Sequence, residues 1–186
     1  MKKFVLTVAI LAVSAAPAFA QIGAPAVYAD AAGNDCNITP GAQFTTFSAY
    51  IVHKSVTGAT GSSFKLTTPS GNGFIYQASV PAAGLLTIGA IETGISVAYG
   101  GCITGDLLVF TINYFATAAP GAVPPCQYVV LEADPSALQG TPLVVDCDYL
   151  EYSVVPGKGI IASDASCTCN IPVQESTWGK VKSLYR

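Results

Sequence analysis

Six cysteines, one histidine and a small group of carboxylates are the residues of this 186-residue chain best equipped to do chemistry. The cysteines, Cys36, Cys102, Cys126, Cys147, Cys167 and Cys169, form an even set, which in an exported chain reads as disulfides. Cys167 and Cys169 are two residues apart on what should be extended chain, where side chains face alike but seldom bond each other, so they are expected to reach different partners. Cys102 and Cys126 flank the apolar run Leu107 to Thr117 and are expected to pair. That leaves Cys36 and Cys147 to take one each of Cys167 and Cys169. A zinc site at Cys167-Thr168-Cys169 would need two further ligands, and with a single histidine these would be other cysteines in an oxidising compartment. No metal or other cofactor is expected.

His53 has no second histidine to work with and falls on the same alternating face as Phe47, Ala49 and Ile51, which predicts a structural hydrogen bond rather than a general base. No G-x-S-x-G elbow is present to activate a serine. Asp146, Asp148 and Glu151 cluster after an apolar run and read as a solvated loop. Asp146 and Asp148 with loop carbonyls are the calcium candidates, and two of the three acids could in principle form a glycosidase pair. Tyr149 and Tyr152 beside them could form a platform for a sugar ring, or be rim tyrosines with one wet end. Asn37-Ile38-Thr39 matches a glycosylation sequon, a three-residue pattern of low specificity.

The elements that must position these residues begin after a leader. Lys2 and Lys3, an uncharged apolar run from Phe4 to Ala16, and Ala18-Phe19-Ala20 make the pattern of a secretory signal peptide, cut after Ala20. The apolar run is too short to remain as a membrane anchor, and no later stretch could span a bilayer. Removing the leader moves the net charge from −3 to −5, which offers nothing to nucleic acid. Charged residues make up only 10% of the chain, so helices with charged outer faces are hard to build from it.

Residues 21–43 are rich in Ala, Gly and Pro with no sustained period and read as an N-terminal arm stapled by Cys36. A sandwich domain is expected over 44–169 and a tail over 170–186. FTTFSAYIVH (Phe44 to His53) reads as the first strand, Gly58-Ala59-Thr60-Gly61 as a turn, and Ser62 to Thr67 as a half-buried strand with Phe64 and Leu66 inward. Phe74 to Val80 and Leu85 to Ile91 are weaker strands. Ile95, Val97 and Tyr99 alternate up to a break at Gly100-Gly101. Leu107 to Thr117 is the strongest strand, with one face carrying Leu108, Phe110, Ile112 and Tyr114, and belongs in mid-sheet. Gln127 to Ala133, Leu143 to Cys147 and Gly159 to Ser163 follow. Eight or nine short strands with no helical period predict an all-β, two-layer β-sandwich.

FTTFSAYIVH, GATGSSFKL, GDLLVFTINYFA and a final GKGIIA strand resemble, in that order, a cohesin-like module of the secreted bacterial sandwiches that also include carbohydrate-binding modules. The resemblance covers roughly Phe44 to Ser163 and implies that the GKGIIA strand lies beside the first. AYIVH, GATGSSFK, SVAYGGC and the tail Thr177 to Arg186 are also similar to a group of uncharacterised exported bacterial proteins ending in TWGxxKxLYR, which implies a like fold and export route.

The tail differs in kind from the body. Glu175 to Arg186 holds the only tryptophan, Trp178, together with Lys180, Lys182 and Arg186. Ser176 could cap a short helix placing Trp178, Val181 and Tyr185 on one stripe, suited to sorting or docking on an acidic or amphipathic surface. Together these readings predict an exported, non-catalytic protein that acts by binding or assembly at or beyond the cell envelope, its partner an envelope protein or polysaccharide. A carbohydrate-binding module is the alternative, and a hydrolase using Asp146, Asp148 or Glu151 the remoter one.

Overall fold

A computed structural model of the chain describes residues 22–169. The leader and the tail residues Trp178, Lys180, Val181, Lys182, Tyr185 and Arg186 lie outside the described residues. Among the described residues ten strands are present: β1 (Ala24–Tyr28), β2 (Asn37–Ile38), β3 (Thr46–Thr67), β4 (Phe74–Pro81), β5 (Leu86–Ala90), β6 (Gly94–Ala116), β7 (Gln127–Glu132), β8 (Leu143–Asp146), β9 (Glu151–Ser153) and β10 (Gly159–Ile161). A 3-10 turn, Pro120–Ala122, precedes β7. The protein is an all-β sandwich.

Two long strands organise it. β3 and β6 run antiparallel, and each fuses two segments that the sequence reads as separate strands, so the count of eight or nine is corrected to ten on different boundaries. The glycine signals taken for turns are bulges instead. Register shifts fall between His53 and Gly61 of β3, opposite Gly105 and Ile103 of β6, and Gly58 (φ 146°), Gly100 (φ 78°) and Gly105 (φ 95°) supply the backbone that lets both strands bend together.

β3 carries β6 on one edge and, on the other, β1 along its first half and β8 along its second; β9 pairs β8, while β4 and β5 share the far edge of β6. The second layer is β2-β10-β7, joined to the first where β7 pairs Lys65 to Thr67 at the end of β3. The closing strand β10 therefore lies between β7 and β2, not beside the first half of β3 as the family resemblance implies.

Between the layers, Phe64, Val97, Phe110, Ile112 and Tyr114 pack with Ile38, Val129 and Ile161, all 4% exposed or less. A bulge at Val109, which has no partner between Ile51↔Phe110 and Val52↔Leu108, reverses the alternation, so Leu108 leaves the Phe110 face and joins Ala26, Tyr28 and Val52 on the other side. The segment read as an N-terminal arm contributes β1, buried at all five positions, which is why it shows no alternation.

The disulfides are Cys36–Cys169, Cys102–Cys147 and Cys126–Cys167. The expected Cys102–Cys126 bridge is corrected. Cys102 lies inside β6 at its bend rather than at a strand start, and the rest of that strand, roughly 40 Å of extended chain, separates it from the far end that leads to Cys126. A bridge needs Cα atoms within about 7 Å. Cys147, on β8's far end, is the near neighbour, with Cα atoms 5.3 Å apart. The expected link from Cys147 to Cys167 or Cys169 is thereby corrected too, and Cys167 takes Cys126.

Candidate functional site

Cross-strand register builds a trough on the outer face of the first layer. In an antiparallel sheet, residues directly opposite one another share a face. One row across five strands reads Ile88, Ser96, Ser63, Leu143, Ser153, and the next reads Leu86, Ala98, Gly61, Val145, Glu151. Each row is large at β5, small on β6 and β3, and large again at β8. The centre is thus a floor of serine, alanine and glycine between two apolar walls, enclosing about 640 Å³. With strands about 4.8 Å apart, β5 and β8 stand about 14 Å from each other, room for one helix or strand.

The β5 wall and the opposite rim face solvent, while Leu143 at the foot of the β8 wall is buried. Leu86 is 71% exposed and Ile88 80%, and Tyr149 at the opposite rim is 80% exposed. Gly61 is required at the floor, because a Cβ there would stand 2.6 Å from the Val97 carbonyl oxygen. The inward-pointing neighbours Phe64, Val97 and Val144 belong to the core, so the trough rests on a packed layer.

The β8–β9 turn sets the charged rim. Asp146 Oδ1 accepts backbone N–H bonds from Asp148 and Leu150, both 2.8 Å, which closes a turn and holds Tyr149 at φ 62°. The two calcium candidates are thereby separated in role: the Asp146 carboxylate organises its own loop while Asp148 is exposed beside Tyr149. Glu151 lines the trough. Tyr149 and Tyr152 are not brought onto one surface. Tyr149 rims the trough, whereas Tyr152 is registered opposite Val144, on the core-side alternation, and the nearby Asp146 carboxylate raises the phenol's pKa.

A covalent clasp fixes this rim to the bend. Cys102 of β6 and Cys147 after β8 meet across β3, and a Cβ on Gly58 would stand 3.1 Å from Cys147 Sγ and 3.7 Å from Cys102 Sγ. Cys126, Asp164 and Cys167 bring a carboxylate and two sulfurs together, but the sulfurs are bonded to each other and offer no thiolate.

His53 lies in mid-β3, fully buried and far from any role at the rim. Its Nε2 stands 3.1 Å from the Ile22 carbonyl oxygen and its Nδ1 2.8 Å from the Tyr99 hydroxyl. A carbonyl can only accept, so Nε2 carries the proton and Nδ1 accepts from Tyr99. Burial lowers the imidazole pKa to about 4, against the opposing pull of the Ile22 and Gly23 backbone.

Comparison with solved structures bears on this architecture. The chain is similar to a non-cellulosomal cohesin from the hyperthermophilic archaeon Archaeoglobus fulgidus, with a TM-score of 0.53 and 11% identity over 76% of this chain and 92% of that one. The fold is cohesin-like. Looser likenesses are to a cohesin module from a Clostridium perfringens family 33 glycoside hydrolase (TM-score 0.48, 15% identity, 77% of this chain and 98% of that one) and to the sixth cohesin of Acetivibrio cellulolyticus scaffoldin B, solved with a Cel5 dockerin (0.48, 11%, 76% and 99%). No family model and no curated protein matches the sequence. Among the described residues no helix is long and apolar enough to cross a membrane.

The trough is the feature that sequence reading missed. Leu86 and Ile88 sit on a strand read as weak, and Gly61 was assigned to a turn. The available signal was the alternation Leu86, Ile88 against Thr87, Gly89, which is a strand with a bare apolar face.

Proposed function

We propose that this chain is exported and acts as a non-catalytic binding module, with the trough as its contact surface for a protein partner at or beyond the cell envelope. The carrying observation is the pair of bare apolar walls, Leu86 and Ile88 on one side and Tyr149 on the other, around a floor of small residues. Contiguous exposed apolar surface on a secreted domain marks an interaction site, and covering one Leu or Ile side chain fully is worth about 1.5–3 kcal/mol. The cohesin-like fold suits this reading, and the commitment of both His53 nitrogens removes the one imidazole from solution chemistry.

A carbohydrate ligand is the second reading, favoured by Tyr149, whose ring is free to stack. The register that turns Tyr152 away leaves it one ring instead of two. The decisive experiment compares the wild-type protein with Ile88→Asp and, as a distant control, Val80→Thr on β4, first in capture from the native secretome and then with the purified captured protein. Direct binding kept by Val80→Thr and lost by Ile88→Asp supports the protein-partner reading. Binding on a glycan panel that depends on Tyr149, with no protein bound at the trough, overturns it.

A further inference from the structure

We infer that the trough receives the C-terminal segment Ser176 to Arg186 of a second copy of this chain, so that the protein assembles tail into trough. The inference rests on the trough being a protein-binding surface and names its occupant.

Charge is the first argument. Residues 22–169 contain ten carboxylates and three cations, Lys54, Lys65 and Lys158. All three cations are engaged away from the trough rim. Lys54 pairs with Asp106 at 2.6 Å, Lys65 with Glu132 at 2.8 Å, and Lys158 lies 4.0 Å above the Tyr128 ring. None is left in the described body to answer Asp148 and Glu151. After the leader, the remaining cations of the sequence are Lys180, Lys182 and Arg186, interleaved with Trp178, Val181 and Tyr185. An apolar stripe flanked by cations complements an apolar trough with an acidic rim.

Shape is the second. Wound as the helix its sequence predicts, the segment is about 10–12 Å across with side chains, and the strands that bear the walls are about 14 Å apart from axis to axis, so one face of such a helix can settle over a floor with no bulky side chain. A segment this short is marginal as an isolated helix in water and gains its order from a surface.

The route of the chain favours a second copy over the same one. Cys169 is bonded to Cys36, whose carbonyl accepts from Ile160, so the segment leaves from the β2–β10 edge of the second layer. The trough is on the outer face of the first layer, with the core between. The six residues Asn170 to Glu175 span at most roughly 20 Å, which suits reaching outward better than wrapping round the body. A donor segment and an acceptor trough on different surfaces make a heterologous contact, which propagates into open chains or closes into a ring.

Trp178, the single tryptophan, reports on the segment directly. The experiment follows tryptophan emission and sedimentation of the chain from Gln21 to Arg186 as its concentration rises. The expected result is a blue shift that grows with concentration alongside larger species, and both move to at least tenfold higher concentration in Ile88→Asp or Asp148→Lys. Ile88 and Asp148 are exposed, so unchanged near-ultraviolet circular dichroism will show that either variant folds. Emission of a solvated indole at every concentration overturns the inference. So does a blue shift independent of concentration, which places the segment on its own body, and so does a concentration-dependent shift that Ile88→Asp leaves intact, which places it on another surface. A form cut after Asn170 that still binds another protein through Ile88 would keep the trough reading while the self-docking inference fell.

Discussion

Lowering the pH from 7.5 to 5 acts on His53 before it reaches most of the carboxylates, and its burial sets the sign of the effect and its order of magnitude. An unfolded histidine titrates near 6.5, whereas burial holds the folded imidazole at about 4. The unfolded chain therefore binds the proton more readily, and stability falls as the pH falls. The contribution is present in full above 6.5, is lost as the pH drops through the interval from 6.5 to 4, and changes no further below it. Linkage gives a loss of about 2 kcal/mol by pH 5 and about 3 kcal/mol by pH 4. For a body of this size the first figure corresponds to a fall in melting temperature of roughly 4–8 °C.

The carboxylates whose pKa values the fold lowers, Asp30, Glu132, Asp134 and Asp164, lose their share at the acid end of the range, so the window above pH 5 belongs to the imidazole. Urea unfolding of wild type and His53→Gln at pH 7.5, 6, 5 and 4 measures it. Glutamine can donate to the Ile22 carbonyl and accept from Tyr99 but does not titrate. The variant should be less stable at pH 7.5 and nearly flat down to pH 5. Equal slopes for both proteins would refute the reasoning, as would an imidazole proton resonance, unambiguous with one histidine, that titrates near 6.5.

Replacing Cys102 and Cys147 together by serine opens a loop closed over a sequence separation of 45 residues, and chain entropy sets the loss at roughly 4 kcal/mol, read by urea unfolding. The same variant should weaken partner capture, because the β8–β9 rim is released from the bend. Gly58→Ala places a Cβ at φ 146° against Cys147 Sγ and should cost about 1–3 kcal/mol, visible in the melting temperature. Cutting the chain after Asn170 should leave the melting temperature nearly unchanged at low protein concentration, since all three disulfides and the described core precede the cut, while altering the division between cell-associated and released protein.

Where one face of a strand is buried, two-residue alternation was legible: Phe64 and Leu66, Ile95, Val97 and Tyr99, and Phe110, Ile112 and Tyr114 all face the core as their spacing predicts. Alternation says nothing where both faces are covered, which hid β1. Glycine carries two meanings that a single sequence does not separate. Gly58, Gly61 and Gly100 signal a change of direction, and either a turn or a bulge answers it. The wrong choice divided β3 and β6 and set Cys102 at a strand boundary, from which the mistaken disulfide followed. The trough was illegible for another reason. It consists of which residues stand opposite which across five strands, a property of register, and its floor is made of the small residues that composition alone treats as featureless.

The bend, the clasp and the trough are one arrangement. β3 and β6 can bend together only because glycine occupies the bulges, and the bend brings Cys102 within reach of Cys147. That bond passes over Gly58, the position where a side chain would collide with it, and it ties down the turn that presents Tyr149 and Glu151. The small residues of β6 and β3 then leave the space between Ile88 and Leu143 unfilled on the outer face while Phe64 and Val97 fill it on the inner. A disulfide persists in an oxidising compartment and not in a reducing one. The bridge that ties down the second wall of the trough is therefore one that an oxidising compartment would maintain.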